Sequence, residues 1–279
     1  MNAAAKTAKR TGTRAPMLAL FSAMVFAFLY LPILVLIVYS FNQGGVGGFP
    51  PKHFTWHWYQ QLFGDGSIWD AVLNSVLVAL GAVALSLTLG LLGALALDRG
   101  NFPGKALFRR LVLLPLVLPG IITGLSLLMF VDRVGIRLSL FTVFLGHGTA
   151  LIAVATTELF AGLQKMDRAQ EEASLDLGAT PWQTFWRITL PNLKLSLIAS
   201  ALLIFTLSMD EIAVTFFLLG RDNTLPLEIW ARLRRGITPE INAISTLIFV
   251  LSVTLILVWY QIRGRTIGRE PRELLERPQ

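Results

Sequence analysis

Long apolar blocks separated by short polar segments set the pattern of this chain. No Asp, Glu, Lys or Arg occurs between Arg14 and Lys52, so a helix over 16–40 can cross a hydrocarbon core of about 30 Å, which takes about 20 residues. Further blocks over 71–97, 111–131, 138–163, 195–219 and 241–262 predict five more spans and an all-α membrane protein of six transmembrane helices. Pro32 predicts a kink in the first span. Pro115, Pro119, Gly120 and Gly124 predict a bent third one, whose two glycines, four residues apart, allow close helix approach. Trp56, Trp58 and Tyr59 follow a Gly-rich stretch and suit a membrane interface. The pattern divides the chain into a tail over 1–15, a membrane domain over 16–262 and a second tail over 263–279, which carries Glu270, Glu273 and Glu276 among arginines as a solvated helix.

Composition agrees with the pattern. With 54 % hydrophobic and 15 % charged residues, the chain is too apolar for an ordinary soluble domain. The basic N-terminus precedes an apolar block longer than a signal-peptide core, so the first span reads as uncleaved. In a membrane protein the net charge of +7 matters through its distribution, and it points to membrane lipid rather than nucleic acid. With the N-terminus in the cytoplasm, 17 of the 24 Lys and Arg residues fall on the inner side, as the positive-inside rule requires. Arg221, Arg232, Arg234 and Arg235 cluster in one outer loop and run against the rule there. Partner, lipid headgroup and solvent are all open for them.

Most catalytic chemistry is excluded. The absence of Cys removes disulfide, CxxC and Cys–metal readings. The stretch Gly100–Ala106 has three residues between its glycines where a phosphate loop needs four, and Ala106 stands where Ser or Thr should reach Mg²⁺. His53, His57 and His147 show no metal-ligand spacing, and His147 reads as a hydrogen-bonded packing residue. Gly124-Leu125-Ser126 lacks the second glycine of a nucleophile elbow. Neither an enzyme nor a metal or cofactor site of its own is expected.

Between the fourth and fifth blocks, at about 165–194, lies a polar amphipathic segment centred on Glu171–Pro191. Gly178-Ala179 breaks it. Thr180 can cap a new helix with Pro181 in its first position and Gln183 three residues on, a capping box. Trp182, Phe185 and Trp186 then fall at i, i+3 and i+4 and form an aromatic stripe that needs burial. The run Glu172-Ala173-Ser174, Gly178 and Ile188-Thr189-Leu190-Pro191 resembles the cytoplasmic coupling loop of type I ABC importer permeases, with Ser174 in place of a second Ala. The resemblance implies that Glu172, Ala173 and Gly178 seat in an ATPase groove, with Trp182, Phe185 and Trp186 available to dock. Phe205–Glu211, Thr224–Trp230 and Gly236–Ala243 are similar to the corresponding stretches of spermidine/putrescine permeases, of the second and shorter subunit type. That family implies a homologous second permease subunit, a cytoplasmic ABC ATPase dimer using ATP and Mg, an extracytoplasmic binding protein, and a bacterial inner membrane location with both termini cytoplasmic.

Charges inside the apolar blocks are the candidate pathway residues. Asp210 and Glu211 interrupt the fifth block and Glu158 the fourth. A charge at bilayer depth costs at least about 2.5–3.5 kcal/mol on insertion scales, so such residues face a bundle interior or a wet passage. As neighbours about 100° apart on a helix, Asp210 and Glu211 cannot point the same way. One is expected to line the passage and the other to meet a neighbouring helix or subunit, while Glu158, close to the end of its block, can also snorkel. Carboxylates at this depth suit a cationic cargo, with polyamine the first reading. The alternatives are an ABC permease for another small solute, such as an aminophosphonate, an amino-acid-like cation or a metal complex, and a proton-coupled carrier using Glu158, Asp210 and Glu211 as a relay.

Overall fold

Helices account for nearly all of the described chain, because apolar segments must satisfy their own backbone groups where no water is at hand. The computed structural model describes residues 14–43, 53–236 and 238–267. Both tails beyond these bounds, with Glu270, Glu273 and Glu276, and the Gly-rich stretch over 44–52 lie outside the described residues. The helices are α1 (Arg14–Tyr39), α2 (His57–Gly64), α3 (Gly66–Arg99), α4 (Lys105–Leu113), α5 (Gly120–Val134), α6 (Leu140–Gln164), α7 (Ala169–Asp176), α8 (Pro181–Thr184), α9 (Lys194–Met209), α10 (Ala213–Leu218), α11 (Leu225–Arg235) and α12 (Pro239–Ile267).

The six-span expectation meets a different division of the apolar sequence. Three helices, Pro16–Tyr39, Gly66–Arg99 and Leu140–Gln164, are long and apolar enough to cross a membrane unbroken. Two bent pairs could raise that number to five, and Pro239–Thr254 is a shorter apolar run. The expected third span, 111–131, is not one bent helix: Lys105–Leu116 and Gly120–Val134 meet at 105°. Pro119 is responsible, since its ring cannot continue the preceding helix and instead starts the next one from an extended backbone, at ψ 136°. The expected fifth span is interrupted at Asp210–Ile212, between α9 and α10.

The chain divides into two compact units, residues 66–231, and residues 1–65 with 232–279. In the first, α3 and α6 run parallel through small-residue contacts. Leu85 packs on Gly148 and Ala155 on Gly90, and Ser86 Oγ donates to the Gly148 carbonyl at 2.7 Å. A methyl group at Gly90 would lie 2.4 Å from Ala155 Cβ, so nothing larger than hydrogen fits. The helix α9 runs antiparallel to α6, with Ser196 against Gly162 at one end and Ser208 against His147 towards the other. The expected close approach at Gly120 and Gly124 is with α10, where added Cβ atoms would meet Ala213 at 3.2 Å and Phe217 at 2.8 Å. Val78, Val131, Val143, Val214 and Leu218 form one apolar cluster and Ala94, Leu159, Leu163 and Leu193 another. These directions give the unit two ends. One carries Arg99, Gln164 and Lys194, and the other Gly66, Val134 and Leu140.

In the second unit, Ser40 Oγ and Tyr59 Oη share a hydrogen bond of 2.7 Å, Trp58 Nε1 donates to the Asn42 carbonyl, and Phe41, Trp56 and Tyr59 stack edge to face or tilted within 5.5 Å. Arg232 pairs with Asp65 at 2.7 Å and Glu240 at 2.5 Å. That member of the arginine cluster is therefore used inside the chain.

Candidate translocation and coupling sites

The polar segment after α6 folds as its local chemistry dictates. The helix α7 ends in a turn at Gly178, whose φ of +88° favours a residue without Cβ. Thr180 then caps α8: the Gln183 N–H donates to Thr180 Oγ1 at 3.3 Å and the Thr180 N–H to Gln183 Oε1 at 2.9 Å. Beyond α8 the chain passes through a wide helical turn at Phe185–Thr189 and a short one at Leu190–Asn192 before α9 leaves at 65°. Trp182, Phe185 and Trp186 contact one another, with ring centroids 5.5–6.0 Å apart, yet Trp182 remains 68 % and Trp186 50 % exposed. Glu172, Ala173 and Gly178 are exposed as well, and Leu177 is bare at 89 %. Among the described residues, Trp182 and Trp186 of the aromatic stripe thus find little cover.

The segment is fastened to the end of α3. Glu171 accepts from Arg99 and from the Thr189 hydroxyl, and Arg168 pairs with Asp98 at 3.1 Å. Asn192 Nδ2 donates to Gln170 Oε1 at 2.8 Å, and Ser174 and Thr184 share a hydrogen bond of 3.0 Å. Sequence reasoning missed this clamp among Asp98, Arg99, Arg168 and Glu171. The adjacent pair at 98–99 facing Arg168 and Glu171 with opposite signs was the available signal.

Asp210 and Glu211 are not neighbours on one helix, as the sequence reading had them. They occupy the gap between α9 and α10. Glu211 Oε1 accepts from the Val214 N–H at 2.9 Å, satisfying an open donor in the first turn of α10, and lies 3.6 Å from where a side chain on Gly120 would begin. The first residue of α5, after the break at Pro119, therefore sits against the break between α9 and α10. Asp210 is exposed. Glu158 is exposed on α6, 11 residues beyond His147 and so about 16 Å further along that helix. The three carboxylates do not form one cluster.

His147, only 2 % exposed, bridges the broken helix. Its Nδ1 lies 2.8 Å from Ser208 Oγ on α9 and its Nε2 2.9 Å from Thr215 Oγ1 on α10. The Thr215 hydroxyl donates to the Glu211 carbonyl at 2.8 Å, so its oxygen accepts from Nε2–H and the Ser208 hydroxyl donates to Nδ1. One imidazole thus pins both sides of the gap that carries Asp210 and Glu211. Replacing it by Leu strands buried polar groups at about 1–3 kcal/mol each. The H147L protein is expected to melt at a lower temperature in detergent, and H147Q, which keeps a donor and an acceptor, to recover part of the loss.

The model of the binding-protein-dependent transport system inner membrane component matches residues 86–267. The chain belongs to this family. It is 35 % identical over 239 residues to the spermidine/putrescine transport system permease protein PotC of Haemophilus influenzae, covering 85 % of this chain and 93 % of that protein. It is 36 % identical over 244 residues to the putrescine transport system permease protein PotI of Escherichia coli K12, covering 84 % and 86 %. A bacterial ABC transporter that imports the acidic polysaccharide alginate contains a chain with the same fold, at a TM-score of 0.68 and 17 % identity over 90 % of this chain and 96 % of that one. The MetNI methionine ABC transporter contains another, at 0.56 and 18 % over 73 % and 93 %. The permease is therefore an all-α, multi-pass inner-membrane protein of the ABC importer type.

Proposed function

We propose that this permease forms half of the translocation pathway of an ATP-driven importer for polyamines such as spermidine and putrescine. The similarity to PotC and PotI across most of their length carries the cargo. The companion is a homologous permease subunit, a separate ATPase dimer uses ATP with Mg, and an extracytoplasmic binding protein delivers the solute. The distribution of Lys and Arg supports a cytoplasmic placement of both termini and of the segment around 165–194. There the exposed surface of Glu172, Ala173, Gly178, Trp182, Phe185 and Trp186 seats in the ATPase. Closure of the ATPase dimer pushes this segment, and the clamp through Arg168 and Glu171 passes the push to α3. Asp210 lines the passage and replaces part of the hydration that a polyamine loses on entry. Glu211 and Glu158 are weaker pathway candidates, the first because α10 already engages its carboxylate, the second because it lies far from the break.

The test is reconstitution of the four components in vesicles. ATP hydrolysis and accumulation of labelled putrescine should both require the polyamine-loaded binding protein. Stimulation by another solute's binding protein, with none by the polyamine one, would overturn the cargo while leaving the importer intact.

A further inference from the structure

We propose that a basic cavity beside α4 holds the headgroup of an anionic phospholipid. The cavity, of about 450 Å³, is lined by Leu97, Lys105, Ala106, Arg109, Arg110 and Phe160. Leu97 and Phe160 lie two and four residues from the ends of α3 and α6, so the cavity sits within about 6 Å of where two long apolar helices stop. That is the depth of lipid headgroups. The helix α4 itself is built for an interface. It begins after Gly104, turns 105° into α5, and presents Lys105 and Arg109 one turn apart to the cavity while Leu107 and Leu111, also one turn apart, stay 60 % and 58 % exposed. A short helix with cations on one side and bare leucines on the other lies along a bilayer surface.

The lining chemistry selects the ligand. Three cations converge and no carboxylate is among the lining residues. Lys105 Nζ is anchored on the Gly100 carbonyl at 2.9 Å and the Arg109 guanidinium lies 5.7 Å from the Phe160 ring centroid, which holds both charges in place. A phosphate diester satisfies the remaining guanidinium donors in a forked pair, while Leu97, Ala106 and Phe160 give the glycerol and upper acyl carbons an apolar wall. Zwitterionic lipid offers the same apolar part but no net charge. The inference rests on the membrane placement of the permease and is independent of its cargo.

The experiment titrates the purified full-length chain with phosphatidylglycerol or phosphatidylcholine and counts bound lipid by native mass spectrometry. Wild type should bind phosphatidylglycerol selectively. Arg109→Gln with Arg110→Gln should weaken that binding about 30-fold, taking roughly 1 kcal/mol for each cation at an anionic headgroup. Arg133→Gln with Arg137→Gln, at the opposite end of the unit, removes the same charge and should leave it unchanged. Equal binding of the two lipids by wild type, or equal losses in the two variants, overturns the proposal. So does displacement of phosphatidylglycerol by millimolar inorganic phosphate, which would make this a free-anion site. Should the first variant fail to fold, a photoactivatable phosphatidylglycerol on the wild-type chain decides, with label expected on 105–110 and label confined to other helices counting against the site.

Discussion

Neutralising Asp210 and Glu211 together, as Asp210→Asn with Glu211→Gln, is expected to abolish polyamine uptake while the transport complex still assembles. The break between α9 and α10 should survive the change, because a Gln oxygen at 211 can still accept the Val214 N–H that Glu211 Oε1 accepts now. His147 continues to join Ser208 and Thr215 across the gap. What disappears is the negative charge proposed to replace part of a multivalent cation's water. An uncompensated charge at this depth costs at least about 2.5–3.5 kcal/mol, which corresponds to a fall in uptake on the order of a hundredfold. Asp210→Asn alone should account for most of it, since Asp210 is exposed and the Glu211 carboxylate is already committed to α10. Uptake of labelled putrescine into vesicles, set beside co-purification of the subunits, separates the two effects. Undiminished transport by the double variant would remove both residues from the pathway.

Replacing Trp182 and Trp186 with Ala should uncouple the permease from its ATPase without unfolding it. Both rings stack on each other and on Phe185, are half or more exposed and lie outside the apolar clusters of the unit, so their loss opens no cavity there. At a docking surface, by contrast, a truncated aromatic anchor costs about 2 kcal/mol or more, or about 30-fold in affinity for the first ring. The variant should show an unchanged melting temperature, reduced recovery of the ATPase on purification and little stimulated ATP hydrolysis. Wild-type recovery of the ATPase together with wild-type transport would take the aromatic stripe out of the interface.

The two sites differed in how far the sequence exposed them. The polar segment around Gly178 is a local structure. Its turn needs a residue that tolerates positive φ, its second helix needs a cap and a first-position proline, and its stripe needs helical spacing, and all of these are set by residues within a few positions of one another. Gly178, Thr180, Pro181 and Gln183 could therefore be read directly. The clamp at its base could not, because Arg99 and Glu171, or Asp98 and Arg168, meet across about seventy residues of chain and charge alone does not choose among possible partners. At the helix breaks the misreading went further. The block over 195–219 was read as one helix despite Asp210 and Glu211, whereas the bond from the Val214 N–H to Glu211 and the bridge from His147 stabilise an interruption there.

Composition, apolar periodicity and local capping chemistry by themselves determined the membrane class, the helical architecture and the two-piece polar segment around Gly178, since each follows from burial, spacing or local hydrogen bonding. Only the tertiary structure decided that Pro119 and Asp210–Ile212 divide their spans, that Gly120 brings those two breaks together, and that Glu211 faces inward while Asp210 stays exposed. Those outcomes depend on which helices lie side by side, and that is settled by packing between residues far apart in the chain.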